Sequence, residues 1–365
     1  MANDNLSRAK SAKNDEFYTQ YPDIQAEMNA YYGFDHDVFR GKTVLLPCDD
    51  PEWSEFTRFF AQNFTFFGLK KLISTSYAFE SKNYPSASKP IWQPTLFEAE
   101  DIRYDEDKSK TRGKLFVLDG DANGDGVYNV EDLTWSYLEG DGDFRSEEVT
   151  RLRDEADVIV TNPPFSLFRE FLAWINEGGK EFAIIGNMNA ITYKEVFPLI
   201  MDNKIWLGNG FGGGNAYFRI EGDDVSRFAT GVYNPETNLV KFRNCTWFTN
   251  IEHKKRHEPL QLMTMADNLR FNKKVKESGY PKYDNYDAIE VSYTDAIPSD
   301  YPGVMGVPIS FLSKYNPDQF DIIGATESEG RGFSKTLWDR DSGEPHALVR
   351  GKSVYKRLFI RHRPK

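Results

Sequence analysis

Between about residues 40 and 250, short apolar runs alternate with segments of helical periodicity. This alternation constrains the fold more than any other feature of the chain. Runs such as "KTVLL", "LKKLIST", "ADVIVT" and "KEFAIIGN" read as strands. Segments such as "SEFTRFFAQNF" and "SLFREFLAWINEG" read as helices. Strands separated by helices point to a doubly wound α/β sheet. Ligands of such sheets bind beyond the carboxyl ends of the strands. One strand, Val158-Ile159-Val160-Thr161, ends abruptly in Asn162-Pro163-Pro164-Phe165. In "PCDDPEWSEF", Pro51 suits a first helical position, with Asp50 as the cap before it.

The chain has 365 residues, enough for a large domain and a second unit. The pattern changes near residue 252 and becomes basic, turn-rich and irregular, closing on the alternating strand "SVYKRLFIRH". The expected division is therefore 1–251 and 252–365. Two cysteines, Cys48 and Cys245, cannot build a disulfide framework and fit a reducing cytoplasm. The N-terminus lacks the apolar core of a signal peptide, and no apolar run approaches a membrane span, so no membrane partner is expected. The net charge of −11 argues mildly against nucleic acid, but its distribution matters more. Residues 119–148 hold ten acidic side chains against Arg145 alone, whereas 350–365 hold seven basic side chains and no acidic one. The basic end is suited to a phosphate backbone.

Asn162-Pro163-Pro164-Phe165 has a physical logic. The prolines stiffen the turn and carry no amide donor. The Asn162 side-chain oxygen and the Pro163 carbonyl can then both face a cleft as acceptors. Phe165 offers a flat apolar face. Two acceptors beside an aromatic ring suit a planar base carrying an exocyclic amine. The competing reading is a plain Pro-Pro turn between strand and helix.

At this point the chain resembles the amino-methyltransferases that use S-adenosylmethionine, whose fourth motif reads Asp/Asn-Pro-Pro-Tyr/Phe/Trp. More narrowly it resembles the EcoRI-type adenine-specific DNA modification methylases. The resemblance runs over most of the chain through "KNDEFYTQ", "CDDPEWSEF", "GDGDFRS", "TNPPFSLFREF", "AITYKEVFPLI", "YPKYDNYDAIEV" and "GVMGVPISFLSKYNPDQF". It implies a Rossmann-like S-adenosylmethionine methyltransferase sheet over 1–251 and a target-recognition, DNA-contacting region over 252–365. It implies transfer of a methyl group to the 6-amino group of an adenine flipped out of double-stranded DNA, in the cytoplasm, as part of a restriction-modification or orphan modification system. A cognate restriction endonuclease would be a genetic partner without direct contact. Asn162, Pro163, Pro164 and Phe165 are the catalytic residues in that reading. Thr19 corresponds to the residue that takes the cofactor's carboxylate. Asp143 would accept from the cofactor's adenine amine, with Phe144 packing on it. "LLPCDDPEWSEF" stands where a Gly-rich turn is usual, so Asp49 or Asp50 is expected to take the cofactor's ammonium, with Ser54 close by on the helix. Helix capping by one of the aspartates competes with that role. The second strand lacks the usual acidic residue for the ribose, for which Thr75 or Ser76 could substitute.

"DANGDGVYNVED" follows the oxygen-ligand rhythm of a calcium loop from Asp121 to Asp132, but ends in Asp rather than the bidentate Glu. Calcium is one reading and a solvated hairpin is the other. No other metal or catalytic-triad spacing occurs, and "GNGFGGGNAYF" lacks the Lys-Ser/Thr of a phosphate loop and reads as a mobile turn. Methylation of RNA adenines or of protein glutamine amides, and a non-catalytic DNA-binding protein on a methylase fold, are the alternative functions.

Overall fold

The computed structural model describes residues 17–51, 54–81, 94, 98, 101–219, 231–326, 333–334 and 336–364. The first sixteen residues, and most of the Pro-rich loop expected over 83–101, lie outside them. The chain divides into two units. The first comprises 1–187 and 208–251, and the second 188–207 and 252–365. The expected division at 251/252 differs in one piece, since Met188–Leu207 belongs to the second unit.

In the first unit, seven strands lie side by side: β2 (Thr43–Leu46), β3 (Lys71–Thr75), β4 (Lys114–Leu118), β5 (Thr134–Tyr137), β6 (Val158–Thr161), β7 (Glu181–Asn187) and β12 (Cys245–Thr249). Their order is β5-β4-β3-β2-β6-β7-β12. Pairing is parallel from β3 through β2 and β6 to β7, and antiparallel at β3–β4, β4–β5 and β7–β12. The sheet is thus mixed: the parallel arrangement read from the sequence is confined to the four middle strands. All four residues of β2 and all four of β6 are buried, which accounts for their unbroken apolar character. The helix Phe168–Gly178 buries Phe168, Phe171, Leu172, Trp174 and Ile175, an i, i+3, i+4, i+7 stripe, and Gly179 ends it with φ 61°.

The chain runs from β2 to β3 on one side, then returns to β6 on the other. The order therefore reverses between β2 and β6, the place where open α/β sheets bind ligands. Their following loops are tied together there. Thr161 Oγ1 lies 2.6 Å from Asp49 Oδ2 and 3.0 Å from the Pro47 carbonyl. The helix after β2 begins later than expected. It spans Glu55–Gln62, and Ser54 rather than Asp50 caps it, its Oγ accepting from the Phe56 amide at 3.2 Å.

A smaller antiparallel sheet of the same unit joins β1 (Tyr18–Thr19), β9 (Ala216–Arg219), β11 (Leu239–Phe242) and β10 (Tyr233–Asn234), in that order. The loop before β9 is anchored. Buried Glu27 accepts from the Asn209 amide at 2.8 Å and the Gly210 amide at 2.9 Å. A carboxylate supplied 182 residues away could not be read from the loop's own glycines.

The second unit holds the short strand β8 (Trp206–Leu207), a sheet ordered β13 (Ile289–Glu290), β14 (Met305–Pro308), β18 (Arg357–His362), β15 (Phe320–Ala325), and a hairpin of β16 (Leu348–Val349) with β17 (Lys352–Ser353). Tyr283, Tyr286, Ala347 and Phe359 form a local core. Arg357, one of the seven terminal basic residues, is buried and paired with Glu290, Nη2 to Oε1 at 2.7 Å and Nε to Oε2 at 3.0 Å. Tyr283 Oη and Ser292 Oγ donate to the same carboxylate. This arginine stabilises the unit and is withdrawn from any phosphate, whereas Arg361 on the same strand is exposed. Among the described residues no helix is long and apolar enough to cross a membrane.

Two stability outcomes follow from these contacts. Thr161→Val keeps the shape but leaves the buried Asp49 carboxylate one donor short, at a cost of about 1–3 kcal/mol, read as a lower urea midpoint. Arg357→Gln breaks a buried ion pair and should cost roughly 3–5 kcal/mol, while Arg361→Gln should change stability by about 0.5 kcal/mol or less. Equal effects at 357 and 361 would contradict the buried pair.

Candidate active site

Beyond β2 the backbone makes an unusual turn. Cys48 adopts φ 67°, the left-handed region where glycine is usual. Its amide donates to Thr75 Oγ1 at 3.2 Å. The turn therefore holds a non-glycine residue in that region, at a cost of roughly 1–2 kcal/mol. It delivers Asp49 into the sheet's switch point, buried, with Ser54 Oγ donating to Oδ1 at 2.8 Å and Thr161 Oγ1 facing Oδ2. Thr57 Oγ1 at 3.3 Å and Ser74 Oγ both donate to the Asp49 carbonyl. A carboxylate offers about four acceptor positions, and two of them here are taken by hydroxyl donors.

Asn162 follows Thr161 directly. Its Nδ2 donates to the Phe17 carbonyl at 2.5 Å. A backbone carbonyl only accepts, so this contact sets which end of the amide is which. Oδ1 is left buried and without a hydrogen-bond partner. Thr19 Oγ1 is a second buried, unpartnered oxygen, on a residue 2% exposed. An acceptor and a hydroxyl left unsatisfied are costly unless a ligand engages them.

Both residues line one cleft, open to solvent and within the first unit. Of the residues expected from the sequence, Thr19, Asp49, Ser54, Asp143, Phe144, Asn162 and Pro164 line it. Asp50, Pro163 and Phe165 do not. The Asp50 carbonyl accepts from the Ser54 amide at 2.7 Å, so its backbone supports the turn. Phe165 packs among aromatic rings instead, with Phe17 stacked at 5.8 Å and Phe218 and Phe242 edge-on at 6.3 and 6.1 Å.

Asp143 is not a free acceptor. Its carboxylate holds Arg145 through Nε at 2.9 Å and Nη2 at 2.5 Å, and also takes the Arg145 amide at 2.9 Å. This pairing holds the guanidinium protonated. Phe144 is buried against Phe171 and Trp174 at 4.9 and 5.6 Å. The loop carrying them crosses close to β3: Gly142 has φ 86°, and a Cβ there would collide with the Ser76 carbonyl oxygen. Thr75 and Ser76 both serve the fold, since Ser76 Oγ accepts from the Lys114 amide at 3.2 Å and neither lines the cleft. Tyr77 does line it, its phenol pushed up by burial and by the Asp141 and Asp143 carboxylates. Phe17, Tyr18, Cys48, Phe56, Tyr77, Ser81, Arg145, Ser166 and Leu167 are cleft residues that the sequence reading missed. All but Ser81 lie within two positions of a residue it named, which is the only local signal they carry.

The Asp121–Asp132 loop turns its acceptors on itself. Asp121 takes the Gly124 and Gly126 amides at 2.6 and 2.8 Å, and Asp132 takes those of Ala122, Asn123 and Asn129. Among the described residues no group of three or more His, Cys, Asp or Glu side chains is placed to hold a metal. The calcium reading finds no support; the alternating Asp/Asn residues serve as caps of successive turns.

Comparison with known proteins identifies the family. The family model of the adenine-specific methyltransferase EcoRI matches residues 5–363. The chain is 40% identical to the Type II methyltransferase M.EcoRI of Escherichia coli over 359 residues, 98% of this chain and 96% of that protein. It is 32% identical to the Type II methyltransferase M.MpnI of Mycoplasma pneumoniae, over 98% of both chains. Type II methyltransferase M.MgeORF184P of Mycoplasma genitalium is 32% identical over 87% of this chain and 85% of its own. No solved structure matches significantly. A match over nearly the whole length, on a chain with an unpartnered amide acceptor at the switch point of its sheet, places this protein in the EcoRI family of adenine-specific methyltransferases.

Proposed function

We propose that this methyltransferase acts on the 6-amino group of an adenine flipped out of double-stranded DNA, with S-adenosylmethionine as donor. The observation that carries the reading is Asn162 Oδ1, a buried acceptor with no partner at the end of β6, beside the cleft. An exocyclic amine supplies the missing donor. The cleft's chemistry fits the cofactor: Asp49 faces it as the acceptor for an ammonium, and the Thr19 hydroxyl awaits an anionic partner such as a carboxylate. When bound, that group supplies a methyl on a sulfonium, an electrophile that needs no activation by the protein.

The chain's own residues then orient the amine. Asn162 Oδ1 and the Pro163 carbonyl accept hydrogen bonds from its two N–H groups and turn its lone pair out of conjugation with the ring. Phe165, backed by Phe17, provides the aromatic surface for the base. Flipping costs roughly a few kcal/mol, offset by this stacking and these hydrogen bonds. The reaction is a direct displacement that depends on positioning, with no covalent intermediate on the enzyme. The Asp143–Arg145 pair makes that arginine the rigid polar wall of the cofactor's end, and Asp143's adenine contact would share the carboxylate with it.

Charge supports a division of labour. The first unit carries 24 Lys and Arg against 38 Asp and Glu; the second carries 21 against 18. The second unit is the better match to a phosphate backbone, and we assign it target recognition. The Type II description of the relatives favours a restriction-modification setting in the cytoplasm, with any endonuclease acting separately.

Asn162→Ala should lower single-turnover methylation by ~10²-fold or more while DNA and cofactor still bind. Phe165→Ala should weaken base capture by roughly 1–3 kcal/mol, part of which a mismatched target recovers. Wild-type turnover by Asn162→Ala would remove this motif from the chemistry, and methylation of RNA or a glutamine peptide in preference to duplex would change the substrate.

The two cysteines offer a second test. Cys48 lines the cleft, whereas Cys245 is buried with its thiol pushed up to about 12 by burial. Alkylation should mark Cys48 alone, and S-adenosylhomocysteine should slow it several-fold. Unchanged alkylation at saturating S-adenosylhomocysteine would place the cofactor elsewhere.

A further inference from the structure

The fourth motif of amino-methyltransferases accepts either aspartate or asparagine at its first position, and this chain carries asparagine. The structure supplies a reason. The first described residue, Phe17, leads into β1, which pairs antiparallel with β9 through Tyr18 opposite Arg219 and Thr19 opposite Phe218. That pairing, and the Phe17 ring seated on Phe165 at 5.8 Å and against Phe242 at 4.7 Å, hold the Phe17 carbonyl in place. The carbonyl meets Asn162 across 145 residues of chain. Because it can only accept, the group opposite must donate. An amide does so with Nδ2 and keeps Oδ1 free to accept. An ionised carboxylate would set two acceptors against each other in a part-buried site, which is unfavourable.

Resting on the reading of Asn162 given above, we propose that the Phe17 backbone carbonyl is a positioning group for the reaction: it sets the orientation of the Asn162 amide and makes this enzyme dependent on asparagine, not aspartate, at that position. A protonated carboxyl could replace the amide, donating its O–H to Phe17 and accepting from the amine with its other oxygen. Asn162→Asp should therefore be a conditional enzyme, active only in the fraction protonated. The other ionisable groups facing this place are those of the same cleft: Asp49 after β2, Cys48, Tyr77 after β3, Asp143 with Arg145 after β5, and Tyr18 on β1. They are present in both proteins, so the ratio of variant to wild type isolates residue 162.

The experiment is single-turnover methylation of a duplex by Asn162→Asp and wild type from pH 5.5 to 8.5, with S-adenosylhomocysteine affinity measured at each pH. The expected ratio is ~10²-fold or more below one at pH 8 and climbs about tenfold for each unit of falling pH above the new carboxyl's pKa. Cofactor affinity should stay constant across the range. A ratio that does not change with pH overturns the proposal. A cofactor affinity that falls in step with rate also overturns it, since the penalty would then be charge repulsion within the cleft. Thermal melting gives a second readout should the variant be poorly folded at high pH. A carboxyl whose folded pKa is raised is less destabilising below that pKa, so the melting deficit should shrink as pH falls; a constant deficit counts against the proposal. Asn162→Ala separates the two ideas: activity in that variant removes the catalytic reading itself. An inactive Asn162→Ala beside a pH-independent Asn162→Asp removes only the role of Phe17.

Discussion

A single buried carboxylate organises the site. Asp49 sits between the loops that leave β2 and β6, and it is held by Ser54 from one side and Thr161 from the other. Ser54 also caps the helix Glu55–Gln62, and Thr161 immediately precedes Asn162. One carboxylate thereby links the start of a helix, a strained turn at Cys48 and the first residue of the Asn-Pro-Pro-Phe run. A buried charge is tolerated only when hydrogen-bonded, so these contacts fix the spacing between the two strand ends on which the cleft depends.

The second constraint comes from the chain's beginning. Phe17 through Thr19 contributes a carbonyl to Asn162, a ring to Phe165 and an unpartnered hydroxyl to the cleft. The small antiparallel sheet holds this segment, and Phe218 and Phe242 from its other strands pack on the same rings. Phe165 and Asn162 are therefore both positioned by one strand, and the cleft is shared between the two sheets of the first unit.

Much of this was legible in advance. The apolar runs at Val44–Leu46 and Val158–Thr161 are buried strands because only a sheet covered on both faces makes such runs favourable. Thr19, Asp49, Ser54, Asp143, Phe144, Asn162 and Pro164 all reach the cleft. Other readings failed where a local pattern has two physical uses. Asp50 and Pro51 carry the residue types of a helix start, yet the helix begins after Ser54, whose hydroxyl caps it and also serves Asp49. The alternating acidic loop at 121–132 has the rhythm of a calcium site and of a run of Asx turns, and its carboxylates hold its own amides. Arg357 belongs to a basic tail in sequence and to a buried ion pair in space.

The sequence by itself determined the alternation of strand and helix, the rigid turn after β6 and the residue types able to grip an amine, because each depends on neighbours within a few positions. It also carried membership of the EcoRI family, through motifs spread over nearly the full length. Only the tertiary structure decided which of two adjacent aspartates faces the cleft and which way the Asn162 amide points. The first depends on a serine five residues away and a threonine 112 residues away, and the last on a carbonyl 145 residues away. Hydrogen bonds over such separations leave no periodicity or spacing in the chain, so folding alone reveals them.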